Sequence, residues 1–244
     1  MDVFAISFIA LSVILLGLAK GGFGGMGATV ALPIMAVGIP VETALGALLP
    51  ILMAMDVVSV GAHRKHADIP AIGYALPGAL VGVVIGAAVI ALVAPHWVGF
   101  CVGVLAIGFA FMAMFGVHPN TSGWPKWASS VFGGASGFTS TIAHAGGPPI
   151  HMYLLTRGYT KEQFVGTAAT FMAGVNIIKV IPFFVVGAMT KETLILSLVI
   201  APFAMISAYG GVLVARRMSP RVFKIMVNVL LIVAGTKLIF DAFT

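Results

Sequence analysis

The chain has 244 residues, of which 60% are hydrophobic and only 8% charged, with a mean hydropathy of +1.13. A soluble domain carries about 25% charged residues and needs them to cover its surface, so an ordinary cytosolic enzyme and a disordered chain are excluded. The net charge of +6 comes from 13 Lys and Arg, too few for the patterned basic face of a nucleic-acid binder. One cysteine, Cys101, rules out an intrachain disulfide, a cysteine zinc cluster and an iron–sulfur site.

The composition is that of a polytopic helical membrane protein, because the apolar runs are continuous and do not alternate as in a β-barrel. At roughly 20 residues per span, the length allows about seven to ten crossings with short loops. The first run, Val3–Leu18, ends in Lys20-Gly21-Gly22 and lacks a signal-peptide cleavage site, so it is expected to stay as the first membrane segment. Charges and prolines mark segments at 3–19, 26–38, 43–62, 70–94, 96–116, 128–143, 148–156, 162–189, 192–215 and 220–243. Six of them read as full spans. The pairs 3–19 with 26–38 and 128–143 with 148–156 read differently, each as a short apolar helix, a glycine-rich break and a second short helix. The breaks are Lys20-Gly21-Gly22-Phe23-Gly24-Gly25-Met26-Gly27 and His144-Ala145-Gly146-Gly147-Pro148-Pro149. Irregular backbone at membrane depth survives only where it lines a cavity or is buried in protein.

The halves resemble each other. Pro33-Ile34 corresponds to Pro149-Ile150, and Glu42 and Gly46 to Glu162 and Gly166. In the same register Asp56 falls opposite Asn176 and Ser59 opposite Lys179, while Pro77, Gly86 and Pro95 fall opposite Pro202, Gly211 and Pro220. An ordered series through four segments points to duplication. If each broken pair is a hairpin that enters and leaves on one side, each half contributes an odd number of crossings and the halves are inverted. That arrangement puts Arg64, Lys65, Lys126, Arg157, Lys161, Arg216, Arg217, Arg221 and Lys224 on one side and leaves Lys191 alone on the other, as the positive-inside rule prefers. The expected fold is therefore an all-α polytopic membrane protein of two inverted-topology repeats, each a broken-helix hairpin plus three transmembrane helices. The N-terminal repeat covers 1–118 (hairpin 3–38, spans 43–62, 70–94, 96–116). A linker covers 119–126, and the C-terminal repeat covers 127–244 (hairpin 128–156, spans 162–189, 192–215, 220–243). The expected location is the cytoplasmic (inner) membrane, multi-pass, with both termini on the non-cytoplasmic side.

Inverted repeats with discontinuous helices are a common plan of secondary transporters, with substrate near the midplane where the breaks meet. Helices restarting near Met26–Ala28 and Pro148–Ile150 would aim their N-terminal dipoles there and favour an anion. The run Gly21-Gly-Phe-Gly-Gly-Met-Gly before a proline-containing helix, and its counterpart Gly137-Phe-Thr-Ser-Thr-Ile-Ala-His-Ala-Gly-Gly-Pro-Pro, resemble the TauE/SafE sulfite exporter family. The resemblance covers nearly the whole chain. It implies export, and sometimes uptake, of sulfite, sulfonates such as sulfoacetate, and related small anions.

The candidate substrate-binding residues are Lys20, Gly24, Gly25, Thr139, Ser140, His144, Gly147, Pro148, Asn176 and Lys179. Lys20 is a fixed positive charge at the first break. Asn176 and Lys179, three residues apart, share a helical face with the small residues Gly166, Thr170 and Ala173. The hydroxyls of Thr139, Ser140 and Thr141 can donate to an oxyanion, or bond back to helix carbonyls. Asp56, deep in its span, is a costly intramembrane carboxylate. It and His144 are the candidates for proton coupling, and His151 is a weaker neighbour of the second break. Arg64, Lys65, His66, Arg216 and Arg217 read as loop charges that set orientation. No carboxylate or thiol sits at ligand spacing from the histidines, so neither a metal nor a cofactor is expected. Ser140 and His144 have no third partner, so no enzyme is expected. The expected function is a secondary transporter, most simply an exporter, of a small sulfur oxyanion such as sulfite or a short sulfonate. Access would alternate between two inverted repeats, with proton coupling as a sub-hypothesis. The alternatives are a passive small-anion channel or a transporter of another small organic anion. The partners are that anion and the lipid bilayer, with no nucleic acid; a homodimer is compatible with the plan.

Overall fold

The computed structural model describes residues 3–22, 25, 28–115, 125, 127–214 and 220–243. Its ten α-helices among those residues are α1 (Val3–Gly22), α2 (Ala31–Gly38, entered through a 3₁₀ turn Ala28–Val30), α3 (Val41–His63), α4 (Ile69–Leu92), α5 (Pro95–Phe115), α6 (Ala128–Ala143), α7 (Gly147–Leu154), α8 (Lys161–Val185), α9 (Lys191–Val214) and α10 (Pro220–Asp241), with no strand. Gly24, Met26, Gly27, Lys126, Arg216 and Arg217 lie outside the described residues.

Five helices among the described residues are long and apolar enough to cross a membrane: Val3–Gly21, Val41–His66, Ile69–Leu92, Lys161–Val185 and Lys191–Val214. The chain is a membrane protein with multiple apolar helices. The first arm differs from expectation, because α1 continues through Lys20, Gly21 and Gly22 instead of stopping before them. Glycine in a helix costs only about 1 kcal/mol, and packing outweighs that here. A Cβ on Gly21 would stand 1.9 Å from the Ala208 carbonyl oxygen of α9, so only glycine lets the two backbones meet. Of the six segments read as full spans, α5 and α10 are not among the five; the apolar stretch of α5 is the shorter His96–Phe111.

Both hairpins double back. The Ser12 hydroxyl in mid-α1 donates to the Ala31 carbonyl at the start of α2 (2.7 Å), and Gly38 at the end of α2 lies against Ala5. In the second hairpin, Tyr153 near the end of α7 returns beside Phe132 near the start of α6, with ring centroids 6.0 Å apart. One end of the helix stack gathers Pro40, Glu42, His96 and Asp241 around an open cleft. Elsewhere Asp68, which caps α4, receives the Tyr159 hydroxyl from the α7–α8 connection, and its own N–H donates to Thr167 Oγ1 (2.9 Å).

The cores do not divide the chain at its midpoint. Of three apolar clusters among the described residues, one joins mainly α1, α2, α3 and α9, a second α4, α6, α7 and α8, and a third α1, α2, α5 and α10. The most extensive packing is α4 on α6, followed by α5 with α10, α1 with α9 and α3 with α9. A Cβ on Gly82 of α4 would lie 2.0 Å from the Gly134 oxygen of α6. Each half thus lends its fourth element to the other half's bundle. The bundles meet where α3 packs on α8.

Candidate functional site

The site lies between the bundles, where the two breaks converge. A Cβ on Gly147 would approach Gly25 O to 3.3 Å. Gly25 adopts a left-handed φ of +80°, which its lack of a side chain permits, and its N–H caps α1 at Ala19 O (2.9 Å). The adjacent cavity has a volume of about 20 Å³ and is lined chiefly by Lys20, Asp56, Ser59, Ser140, His144 and Asn176. That is room for roughly one water molecule, so an oxyanion enters only if the walls separate.

Lys20, in the last turn of α1, is buried. Its Nζ forms an ion pair with Asp56 Oδ1 of α3 and donates to Leu52 O (3.1 Å). The other Asp56 oxygen accepts Asn176 Nδ2 from α8 (2.7 Å). Asp56 and Asn176 correspond in the internal sequence register, and here they touch across the bundle boundary. Ser59, one turn beyond Asp56, donates its hydroxyl to Lys20 O (3.3 Å).

Lys179 is 0% exposed. Its Nζ donates to Ser140 O (2.9 Å), stands 3.3 Å from Ser140 Oγ and 2.8 Å from His144 Nδ1, and lies 5.1 Å from the centroid of Phe183. It does not line the cavity; it backs Ser140 and His144, which do. Among the described residues no carboxylate pairs with it. His144 Nε2 is 2.9 Å from Leu45 O. A carbonyl only accepts, so Nε2 carries a proton, and Nδ1 offers its lone pair to the ammonium. Both nitrogens of the neutral ring are engaged. His144 ends α6 in the left-handed region (φ +50°), the one described non-glycine residue to do so. The left-handed turn ends the helix and turns the chain into the break.

The remaining candidates separate. Thr141 bonds back to its own helix, Oγ1 at 2.8 Å from Gly137 O, and Thr139 Oγ1 lies 2.9 Å from Ala135 O of its helix and 3.0 Å from Ala145 O of the break. Neither lines the cavity, and neither does Pro148; Gly25, Ser140 and Gly147 do. His151 packs beside Phe164 (5.3 Å) and away from the cavity lining. The helix-dipole contribution is smaller than the sequence suggests. Pro148 and Pro149 at the start of α7 have no N–H to offer, and Ala28 N–H is spent on Gly25 O (3.0 Å). The basic side chains Lys20 and Lys179 are the remaining candidates for positive charge at the site. Sequence reasoning missed Ser59 as a wall residue, although its spacing from Asp56 puts it on the same helical face. It also missed Met172 and the Leu45 and Leu52 carbonyls, which carry no signal in a one-letter string.

A bundle of apolar helices around two helix breaks, with a buried charged network at their junction, defines a polytopic membrane protein with a polar site in its core. The family model "Sulfite exporter TauE/SafE" matches residues 9–238. The chain belongs to this family of membrane transporters. No curated protein and no solved structure matches it.

Proposed function

We propose that the protein is a secondary transporter that exports a small sulfur oxyanion, sulfite or a short sulfonate, across the cytoplasmic membrane by alternating access. The observation that carries this is Lys179, a fully buried lysine with neutral acceptors only, set behind Ser140 and His144 at a closed cavity between two bundles. Burying a charge without a counterion is costly, and the cost falls when an anion arrives. Binding would involve Lys20, Lys179, Ser140, His144, Asn176 and the glycine backbone at Gly25 and Gly147.

The inverted-repeat plan, with halves at 1–118 and 127–244, draws support from the two hairpins that double back and from the exchanged packing of α4 and α9. It also draws support from the basic residues of the α3–α4 and α7–α8 turns, Arg64, Lys65 and Arg157. Lys237, which the charge sorting left out, joins Lys191 as a basic residue of the opposite set, where it pairs with Asp241. Both termini then lie outside the cytoplasm. The moving bodies are the interleaved bundles, α1–α3 with α9 and α6–α8 with α4, not the sequence halves. Asp56 is the better proton-coupling group, since protonating it releases Lys20, whereas both His144 nitrogens are already bonded. A passive channel is the second reading, and the 20 Å³ cavity argues against a standing aqueous path.

The test is efflux from proteoliposomes loaded with sulfite, ethanesulfonate or sulfoacetate, with the Lys179→Gln variant alongside. Saturable efflux that the variant loses supports the reading. No movement of any of the three under any imposed pH gradient overturns it.

A further inference from the structure

Asn176 stands at the cavity with one half of its amide unused. It is 1% exposed, and its Nδ2 is committed to Asp56 Oδ2 at 2.7 Å. Its Oδ1 is buried and has no hydrogen-bond partner among the described residues. Exchanging the two ends would set an oxygen against a carboxylate oxygen, so the chemistry of Asp56 fixes which end is free. An amide oxygen only accepts. A ligand that met this wall with acceptor atoms alone would leave Oδ1 unpaired and add a repulsive contact.

The charges set a second condition. Lys20 on α1 and Asp56 on α3 form the ion pair of the network, and Lys179 on α8 faces three uncharged acceptors and, among the described residues, no carboxylate. His144 is neutral by its bonding, and Lys20 and Asp56 cancel as an ion pair. Lys179, protonated as the anion binds, then supplies one uncompensated positive charge. A monoanion neutralises it, whereas a dianion leaves a buried negative charge in its place, which is costly in a low-dielectric interior.

We infer that the site selects a singly charged oxyanion that also carries a hydrogen-bond donor, such as a hydroxyalkyl sulfonate or the protonated form of sulfite, with Asn176 Oδ1 as the specificity-determining acceptor. This rests on the anion-transport reading and narrows its substrate class. The anion group faces the positive charge of Lys179 through Ser140 and His144, and the donor faces Asn176. Sites built around a buried polar group reject analogues that leave it unpaired.

The test is calorimetric binding of three probes to the purified, full-length protein. They are 2-hydroxyethanesulfonate (monoanion with a donor), propane-1-sulfonate (monoanion of similar size without one) and sulfoacetate (dianion). The hydroxylated monoanion is expected to bind about tenfold or more tighter than each of the others. In Asn176→Leu the preference over propane-1-sulfonate is expected to collapse toward unity, while the preference over sulfoacetate persists. The wild-type ratios decide the matter if that variant does not fold. Equal binding of the two monoanions, as when water serves Oδ1 in every complex, overturns the donor requirement. Sulfoacetate binding as tightly as 2-hydroxyethanesulfonate overturns the charge requirement. Binding of none of the three, nor of sulfite, defeats the anion-transport reading itself.

Discussion

Lys20 and Lys179 are both buried lysines at the meeting point of the two helix breaks, and they are satisfied in opposite ways. Lys20 has a carboxylate, Asp56, that a second donor, Asn176, holds in place. Lys179 has a carbonyl, a hydroxyl and an imidazole nitrogen, all uncharged. The first arrangement is internally neutral and costs little to keep. The second provides no counterion for an ammonium. Under the proposed function, the difference separates a lysine held by its own carboxylate from one whose counterion is the transported anion.

The largest effect is expected at the neutral pair. Asp56→Asn strands the Lys20 ammonium, and thermal unfolding in detergent should show a loss of about 3–5 kcal/mol. The double variant Lys20→Met, Asp56→Leu should recover most of it, because the stranded charge is gone. Lys179 should behave in reverse. Lys179→Gln should lower sulfite efflux about 100-fold, equivalent to about 2–3 kcal/mol of lost charge-assisted binding, while Lys179→Met keeps or raises the Tm. A large fall in Tm with Lys179→Met would break the comparison by making both lysines structural.

A packing effect follows. Leu45 O anchors the far side of His144, and the neighbouring Gly46 lies so close to the α8–α9 connection that a Cβ would sit 1.8 Å from Ala188 O. Gly46→Ala should cost about 1–3 kcal/mol and impair efflux with it. Its sequence mate Gly166, where the nearest atom is His63 O at 2.6 Å, should give the milder loss in the same unfolding assay.

The smallest effect lies outside the membrane spans and supplies a solvent-screened reference. The Tyr159 hydroxyl is the main cause that holds the Asp68 carboxyl below its ordinary range, and burial with the Asp68 carboxylate pushes Tyr159 up to about 12. Because the folded-state pKa of Asp68 is depressed, its contribution is complete above the ordinary carboxylate range. It is lost as pH falls through the lowered value. Tyr159→Phe should flatten that acid limb of Tm against pH by less than about 1 kcal/mol, since the pair is partly exposed.

Much of this was legible in the sequence because membrane helices announce themselves by apolar length and the breaks by glycine and proline. Lys20, Asp56, Asn176 and Lys179 stood out for one reason: polar groups are rare in such segments, so each required an account. What could not be read was pairing. Nothing in the string says that Asp56 neutralises Lys20 and not Lys179, because that depends on which way α1 and α8 turn against α3. The end of α1 was misplaced because Gly21 breaks helices on average, and the approach of α9 that holds it helical is a tertiary fact. The hydroxyls of Thr139 and Ser140 looked equivalent in the sequence, but Ser140 O, which also accepts His144 N–H (3.0 Å), and Ser140 Oγ face Lys179, whereas Thr139 Oγ1 turns to Ala135 O and Ala145 O.

The exchange of α4 and α9 between bundles also bears on how the protein is made. α1 is synthesised well before the helix that covers it. Ser207 of α9 closes on the Val13 and Ile14 carbonyls (3.3 and 3.1 Å), and Gly21 admits Ala208. Lys20 meets Asp56 early, whereas Asn176, which steadies that carboxylate, follows much later in synthesis. A nascent chain stopped before α9 has every member of the charge network but leaves α1 uncovered along the face that Ser207 and Ala208 close. It is the form that membrane quality control would be best placed to recognise, so completion of the second half is the step that commits the first half to its final structure.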